Sequence, residues 1–186
     1  ISSDVSSGLQ RIGLSKGQTV GIMLPNSLDF FFAFFGVLLA GGVPVPIYPP
    51  ARANQIEDHL IRHSTILANA ESHYLITVSE AKGPAQILKI HAKTINEVVT
   101  VSDLRVKDHN SLRPKISETD LAFLQYTSGS TGDPKGVMLT HKNLLANIRA
   151  MSEPFDLSPD GDVFVSWLPL YHDMGLIGAW LCSLYY

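Results

Sequence analysis

The stretch FFFAFFGVLLAGGVPVPIYPP (30–50) limits the folds open to this chain more than any other, because no charged residue occurs between Asp29 and Arg52. Its length, roughly 20 residues, would in principle cross a bilayer. Gly41, Gly42, Pro44 and Pro46 rule against that, since they stop any helix near Ala40. What remains is an apolar helix of core length followed by a short apolar strand. No basic flank or small-residue cleavage signature precedes it, so it is not a secretion signal. The segment reads as buried core, with no membrane span.

The rest of the chain alternates strand-like and helix-like runs. Strands are predicted at Thr19–Leu24, Val43–Tyr48, Tyr74–Val78, Glu97–Val101, Leu121–Thr127, Gly136–Leu139 and Asp162–Trp167. Helices are predicted at Leu28–Ala40, Gln55–Ala70, Pro84–Thr94, Lys142–Met151 behind the cap Thr140, and Gly175–Tyr186. In the second of these Ile56, Leu60, His63 and Leu67 recur at spacings of three and four, an amphipathic pattern. Val106–Thr119 reads as a polar, Pro-containing connection. Apolar strand runs separated by helices predict an α/β layer fold, with a mostly parallel or mixed sheet and helices on both faces. Repeats and low-complexity tracts are absent. The last helix runs to Tyr186 without a cap, so the chain is expected to stop inside a domain and to expose apolar surface that favours self-association.

Composition narrows the function. With 186 residues the chain is of single-domain size. Charged residues make up only 17% and hydrophobic ones 45%, which excludes disorder. Fourteen basic against seventeen acidic residues leave no positive field, so no nucleic-acid partner and no anionic membrane surface is expected. One cysteine, Cys182, excludes a disulfide framework and favours a reducing compartment, the cytoplasm.

The strongest local signal is YTSGSTGDPKG (126–136), set between two apolar strands. Gly129, Gly132 and Gly136 allow the backbone to turn its N–H groups inward, and successive N–H groups of this kind form a concave anion site. Thr127, Ser128, Ser130 and Thr131 add hydroxyl donors that also suit a hard cation such as Mg²⁺, and Lys135 adds a point charge. A polyphosphate fits this inventory better than a neutral ligand. The Walker spacing fails, because Pro134 stands five positions after Gly129 and Gly136 follows Lys135. The dinucleotide fingerprint G-x-G-x-x-G is also absent. A plain Gly/Ser-rich hairpin is the competing reading, but it has no use for four hydroxyls and a lysine together.

The string YTSGSTGDPKGVMLTHKNL resembles the phosphate-loop signature of the adenylate-forming superfamily, which includes acyl-CoA synthetases, peptide-synthetase adenylation domains and luciferases. GIMLPNSLDFFFAFFGVLLAGGVPVPIYPP (21–50) resembles that family's N-terminal region, and FVSWLPLYHDMGLIG (164–178) its motif after the next strand. Within the superfamily, PVPIYPPAR together with LPLYHDMGLIG is most similar to the fatty acyl-AMP ligases. The resemblance implies ATP-dependent activation of a fatty acid carboxylate to an acyl-adenylate with release of pyrophosphate, followed by transfer to an acyl carrier protein.

By the same resemblance, Thr127, Ser128, Gly129, Ser130, Thr131, Gly132 and Lys135 hold the ATP phosphates, and Thr127 is a Mg²⁺ partner. His172 faces substrate beside the acyl and phosphate groups, with Gly175 as a further substrate contact, and Lys135 and His172 carry the catalytic roles. His172 also follows Pro169 at the end of a strand-like run, where α/β folds place ligands. Trp167, Tyr171 and Gly178 either shape an acyl tunnel or simply pack. His59 and His63 share a metal-compatible i,i+4 spacing, yet no zinc motif surrounds them and a solvated face is expected.

The family's acidic Mg²⁺ and adenine motif, its ribose-binding aspartate, its hinge and its C-terminal lid domain with a catalytic lysine have no counterpart in these residues. Residues 1–186 are therefore expected to be an incomplete N-terminal AMP-binding domain that is inactive alone. Alternative readings are a fatty acyl-CoA ligase that uses coenzyme A, a non-catalytic nucleotide-binding module, and an NTPase that cleaves the γ-phosphate.

Overall fold

A computed structural model of the chain describes residues 1–49, 56–107, 112–127, 134–155 and 161–186. Four parallel strands, β1 (Thr19–Met23), β2 (Val43–Pro46), β3 (Tyr74–Thr77) and β4 (Glu97–Val99), form one sheet in the order β2-β1-β3-β4. Their pairings place Val20 opposite both Pro44 and Tyr74, and Leu75 opposite Val98. β5 (Leu121–Thr127) and β6 (Lys135–Thr140) form a separate antiparallel hairpin, and β5 packs against β2.

Alternation along the parallel strands divides the interior in two. Val20, Ile22, Tyr74, Ile76 and Val99 face one way, onto α1 (Ser2–Arg11) and α2 (Leu28–Leu39). Val43, Val45, Leu75 and Val98 face the other way, onto α3 (Ile56–Asn69) and the short helices that follow β3, which are α4 (Ser79–Lys82), a 3₁₀ turn and α5 (Leu88–His91). Helices on both faces of a parallel sheet are what the apolar strand runs predict. The uncharged stretch supplies Phe30, Ala33, Phe34 and Val37 to the first core and Val43, Val45 and Ile47 to the second. No helix among the described residues is long and apolar enough to cross a membrane.

Several elements differ from the sequence reading. The segment Asp162–Trp167, expected as a strand, has no ladder partner among the described residues, and Val163, Val165 and Trp167 are 88%, 80% and 85% exposed. A period-two pattern makes a strand only where another strand satisfies its backbone groups. Pro84–Thr94 is a 3₁₀ turn followed by α5 rather than one helix. Glu97–Val101 ends as a strand at Val99, and Val101 opens α6 (Val101–Leu104). The final run is a π-helix over Met174–Leu181 that continues as an α-helix, α8 (Cys182–Tyr185). α7 (His141–Ser152) begins behind Thr140 as expected, and its cap is reciprocal. Thr140 Oγ1 accepts the Asn143 N–H at 3.1 Å, and Asn143 Oδ1 accepts the Thr140 N–H at 3.1 Å.

α6 has a charged counterpart of that cap. The Asp103 carboxylate accepts from Lys82 Nζ at 2.7 Å and from the Thr100 N–H at 2.8 Å. The Lys82 hydrogen bond, then that of Thr100, holds its pKa below the usual carboxylate value. A lowered folded-state pKa contributes stability above the unfolded value, and that contribution is lost as pH falls through the folded one. Asp103→Asn is therefore expected to lower the thermal midpoint at pH 7 and to flatten its decline below about pH 4. Melting curves of variant and parent at pH 7 and pH 3 check this, and an unchanged gap between the two would contradict it.

Candidate functional site

The hairpin is built around the glycine-rich loop. β5 and β6 pair with Tyr126 opposite Gly136 and Thr127 opposite Lys135, so both ends of the loop are held across one register. The loop members Ser128, Gly129, Ser130, Thr131 and Gly132 lie outside the described residues. Gly136 is required by close approach, because a Cβ there would stand 2.9 Å from the Tyr126 ring. The Tyr126 hydroxyl in turn donates to Asn69 Oδ1 at 2.6 Å, tying the hairpin to the end of α3. Burial raises the pKa of this phenol, which keeps it a donor.

A cleft of about 290 Å³ opens beside Thr127. Its walls come from the carboxyl end of β2 through Tyr48, from α3 through His63, from β5 through Gln125 and Thr127, and from the turn carrying Tyr171, His172 and Asp173. The sequence-predicted residues Thr127 and His172 thus share one cavity, at the carboxyl ends of strands as the general rule for α/β sheets requires. The His172 imidazole is 71% exposed, with Nδ1 3.3 Å from Asp173 Oδ1, and its backbone N–H donates to the Pro169 carbonyl at 3.1 Å. Lys135 is exposed and is the cross-strand partner of Thr127, but the cleft wall at that end of the hairpin is Pro134, and Lys135 does not line the cleft.

Gly175 lies elsewhere. It is buried in the π-helix with the Pro169 carbonyl where a side chain would stand, and it borders a neighbouring cleft together with Asn26. Its size therefore lets the backbone before His172 pack down. Trp167 and Gly178 border a larger apolar groove of about 700 Å³, with Phe164, Val165 and Cys182. Tyr171 belongs to the first cleft.

His63 corrects the sequence reading. It is fully buried instead of solvated, with its ring 4.3 Å edge-on from Tyr48. Its place on the apolar stripe of α3 was the signal for this. The side chain of His59 lies outside the described part of the helix, and among the described residues no group of three or more His, Cys, Asp or Glu is arranged to hold a metal. Tyr48 and Gln125 are cleft residues that sequence reasoning missed. Tyr48 ends a predicted strand, so the carboxyl-end rule used for His172 would have found it. Gln125 carries no such signal. It is buried, with Nε2 donating to the Tyr171 carbonyl at 3.0 Å and Oε1 without a partner among the described residues.

Comparison with known proteins gives the arrangement a context. The family described as AMP-binding enzyme matches residues 2–186. The chain belongs to that family. It is 36% identical to the long-chain-fatty-acid–AMP ligase of Mycolicibacterium smegmatis over 184 residues, covering 97% of this chain and 28% of that protein. It is 34% identical to the medium-chain-fatty-acid–acyl-carrier-protein ligase of Moorena producens over 176 residues, or 92% of this chain and 29% of the other. Among solved structures, the fatty acyl-adenylate ligase of L. pneumophila in complex with acyl adenylate and pyrophosphate superposes with a TM-score of 0.83 at 33% identity. That match covers 99% of this chain and 31% of the other. The AMP-binding chain thus spans about a third or less of the length of these relatives.

Proposed function

We propose that residues 1–186 are an incomplete N-terminal domain of a cytoplasmic ligase that activates a fatty acid with ATP, forming an acyl-adenylate and pyrophosphate. The observation that carries this reading is the meeting of Thr127, at the mouth of the phosphate loop, with His172 in one cleft. A carboxylate oxygen attacks the α-phosphorus, and the bond from that phosphorus to the β-bridging oxygen breaks. The electron pair leaves with pyrophosphate. No general base is required, because the acid is already ionised at neutral pH with a pKa near ~4.

The difficulty is two anions approaching one another while charge grows on the leaving group. Fixed donors aimed at that charge lower the barrier. Thr127 through Gly132 and Lys135 hold the β- and γ-phosphates, while His172 positions the reacting carboxylate and α-phosphate. Gly175 serves substrate binding from behind, through the packing of the backbone that leads to His172. The Thr127 hydroxyl fits Mg²⁺, which takes few protein ligands and fills its shell with phosphate oxygens and water. When bound, the ion would neutralise charge on the phosphates. The lid domain and the nucleoside-binding motifs lie outside residues 1–186, so this piece alone is expected to be inactive.

The acceptor is the thiol of an acyl carrier protein, a reading supported by the likeness to the Moorena producens ligase. Product analysis of the full-length protein with ATP and a long-chain acid tests the whole reading. AMP ester and pyrophosphate are expected, followed by acyl transfer to carrier protein in preference to coenzyme A. Release of orthophosphate would identify an NTPase, binding without turnover a nucleotide-binding module, and preference for coenzyme A an acyl-CoA ligase.

A further inference from the structure

On its C-terminal side His172 is held by the π-helix, its carbonyl accepting the Leu176 N–H at 2.8 Å, but the segment that leads into it has little secondary structure of its own. Val163 to Pro169 belong to no helix or strand ladder, and Pro169 has no N–H to offer. Two side-chain amides from distant parts of the chain take the place of a ladder. Asn26, three residues beyond β1, donates from Nδ2 to the Leu168 carbonyl at 2.9 Å and accepts the Leu170 N–H on Oδ1 at 2.9 Å. One carboxamide thus joins the carbonyl of one residue and the N–H of the residue two further on, as a neighbouring strand does. Gln125, inside β5, donates from Nε2 to the Tyr171 carbonyl at 3.0 Å. Three backbone groups, the Leu168 carbonyl, the Leu170 N–H and the Tyr171 carbonyl, are therefore fixed within the four residues before His172.

We infer that Asn26 and Gln125 are positioning residues: a two-amide clamp on Leu168–Tyr171 that sets where His172 stands in the cleft. The inference rests on the role proposed for His172 and goes beyond it by naming what holds that residue. The two amides anchor the turn to β1 and to β5, and β5 is the strand that ends in the phosphate loop. The clamp therefore ties the position of His172 to the position of Thr127. A misplacement of a reacting group by about 1 Å costs up to a hundredfold in rate. Loss of one partly exposed amide should cost less, about tenfold.

The test uses the full-length protein and acid-dependent pyrophosphate exchange into ATP. Asn26→Leu is expected to lower kcat about tenfold while KM for ATP stays within about threefold, since the phosphate loop is untouched. Asn26→Asp keeps the acceptor for Leu170 and loses the donor for Leu168, so it should fall between. On a His172→Ala background, Asn26→Leu should cause no further loss, because a residue acting through His172 has nothing left to position. Hydrogen–deuterium exchange gives a reading independent of turnover. The Leu170 amide should lose protection in Asn26→Leu and keep it in Asn26→Asp. An undiminished kcat in Asn26→Leu, a second full loss on the His172→Ala background, or unchanged protection at Leu170 would each overturn the clamp. Absence of exchange activity in the parent would count against the proposed function instead, and the amide protection would still decide the clamp.

Discussion

Replacing Phe34 with alanine is expected to destabilise the protein by about 3–5 kcal/mol, the range for emptying an aromatic core position. Phe34 is fully buried, and its ring centroid lies 5.5 Å from Trp180, 5.9 Å from Phe123 and 6.2 Å from Phe30. It joins α2 to β5, which lines the cleft, and to the π-helix that follows His172. The cavity would be lined by rigid rings from three elements, so little collapse can offset it. Against a total stability of about 5–15 kcal/mol, that loss takes a large share. Leu28→Ala on the same helix is the control. Leu28 is 68% exposed, so its replacement should stay within about 0.5 kcal/mol. Urea unfolding of the two variants measures the difference, and equal midpoints would show that the aromatic cluster is not the centre of the core.

Lys135→Ala is expected to have the largest effect on turnover, lowering kcat by roughly a hundredfold to a thousandfold, the size seen when one donor to a developing charge is removed. Lys135 stands opposite Thr127 across the hairpin and is exposed, as the proposed phosphate contact requires. In the proposed reaction charge grows on the leaving pyrophosphate, so kcat should fall more than KM for ATP rises. Lys142→Ala is the matched control: this lysine pairs with Glu118 at 3.3 Å on an exposed surface away from the cleft, and its loss should leave kcat unchanged. Steady-state kinetics on both variants of the full-length protein provide the comparison. A Lys135→Ala enzyme within a few-fold of the parent would remove this residue from the catalytic account.

The parts of the fold that were legible in sequence are those whose burial is continuous. β1, β2, β3 and β5 are apolar runs covered on both faces, and α2 follows from a stretch in which almost every residue is apolar. α1 was hidden because serines and a glycine surround its two core residues, Val5 and Leu9. Asp162–Trp167 misled for the opposite reason, since it has the composition of a strand and no ladder partner among the described residues. The site divides in the same way. Thr127 and Lys135 stand out in the sequence because glycines, hydroxyls and a cation crowd into one short loop. His172 stands out through the motif LPLYHDMGLIG and its place after Pro169 at the end of a strand-like run. Tyr48 was within reach of the same carboxyl-end rule, whereas Asn26 and Gln125 contact backbone atoms far away in the chain, which leaves no mark on the side chains of the residues they hold.

The most direct measurement of the central claim is exchange of labelled pyrophosphate into ATP by the full-length protein, with and without fatty acid, in the parent and in a Thr131→Ala, Lys135→Ala double variant. If the loop grips the triphosphate while an acid is activated, label enters ATP only when the fatty acid is present and the double variant loses it. Label incorporation that needs no acid, or that survives in the double variant at the parent's rate, would contradict the account.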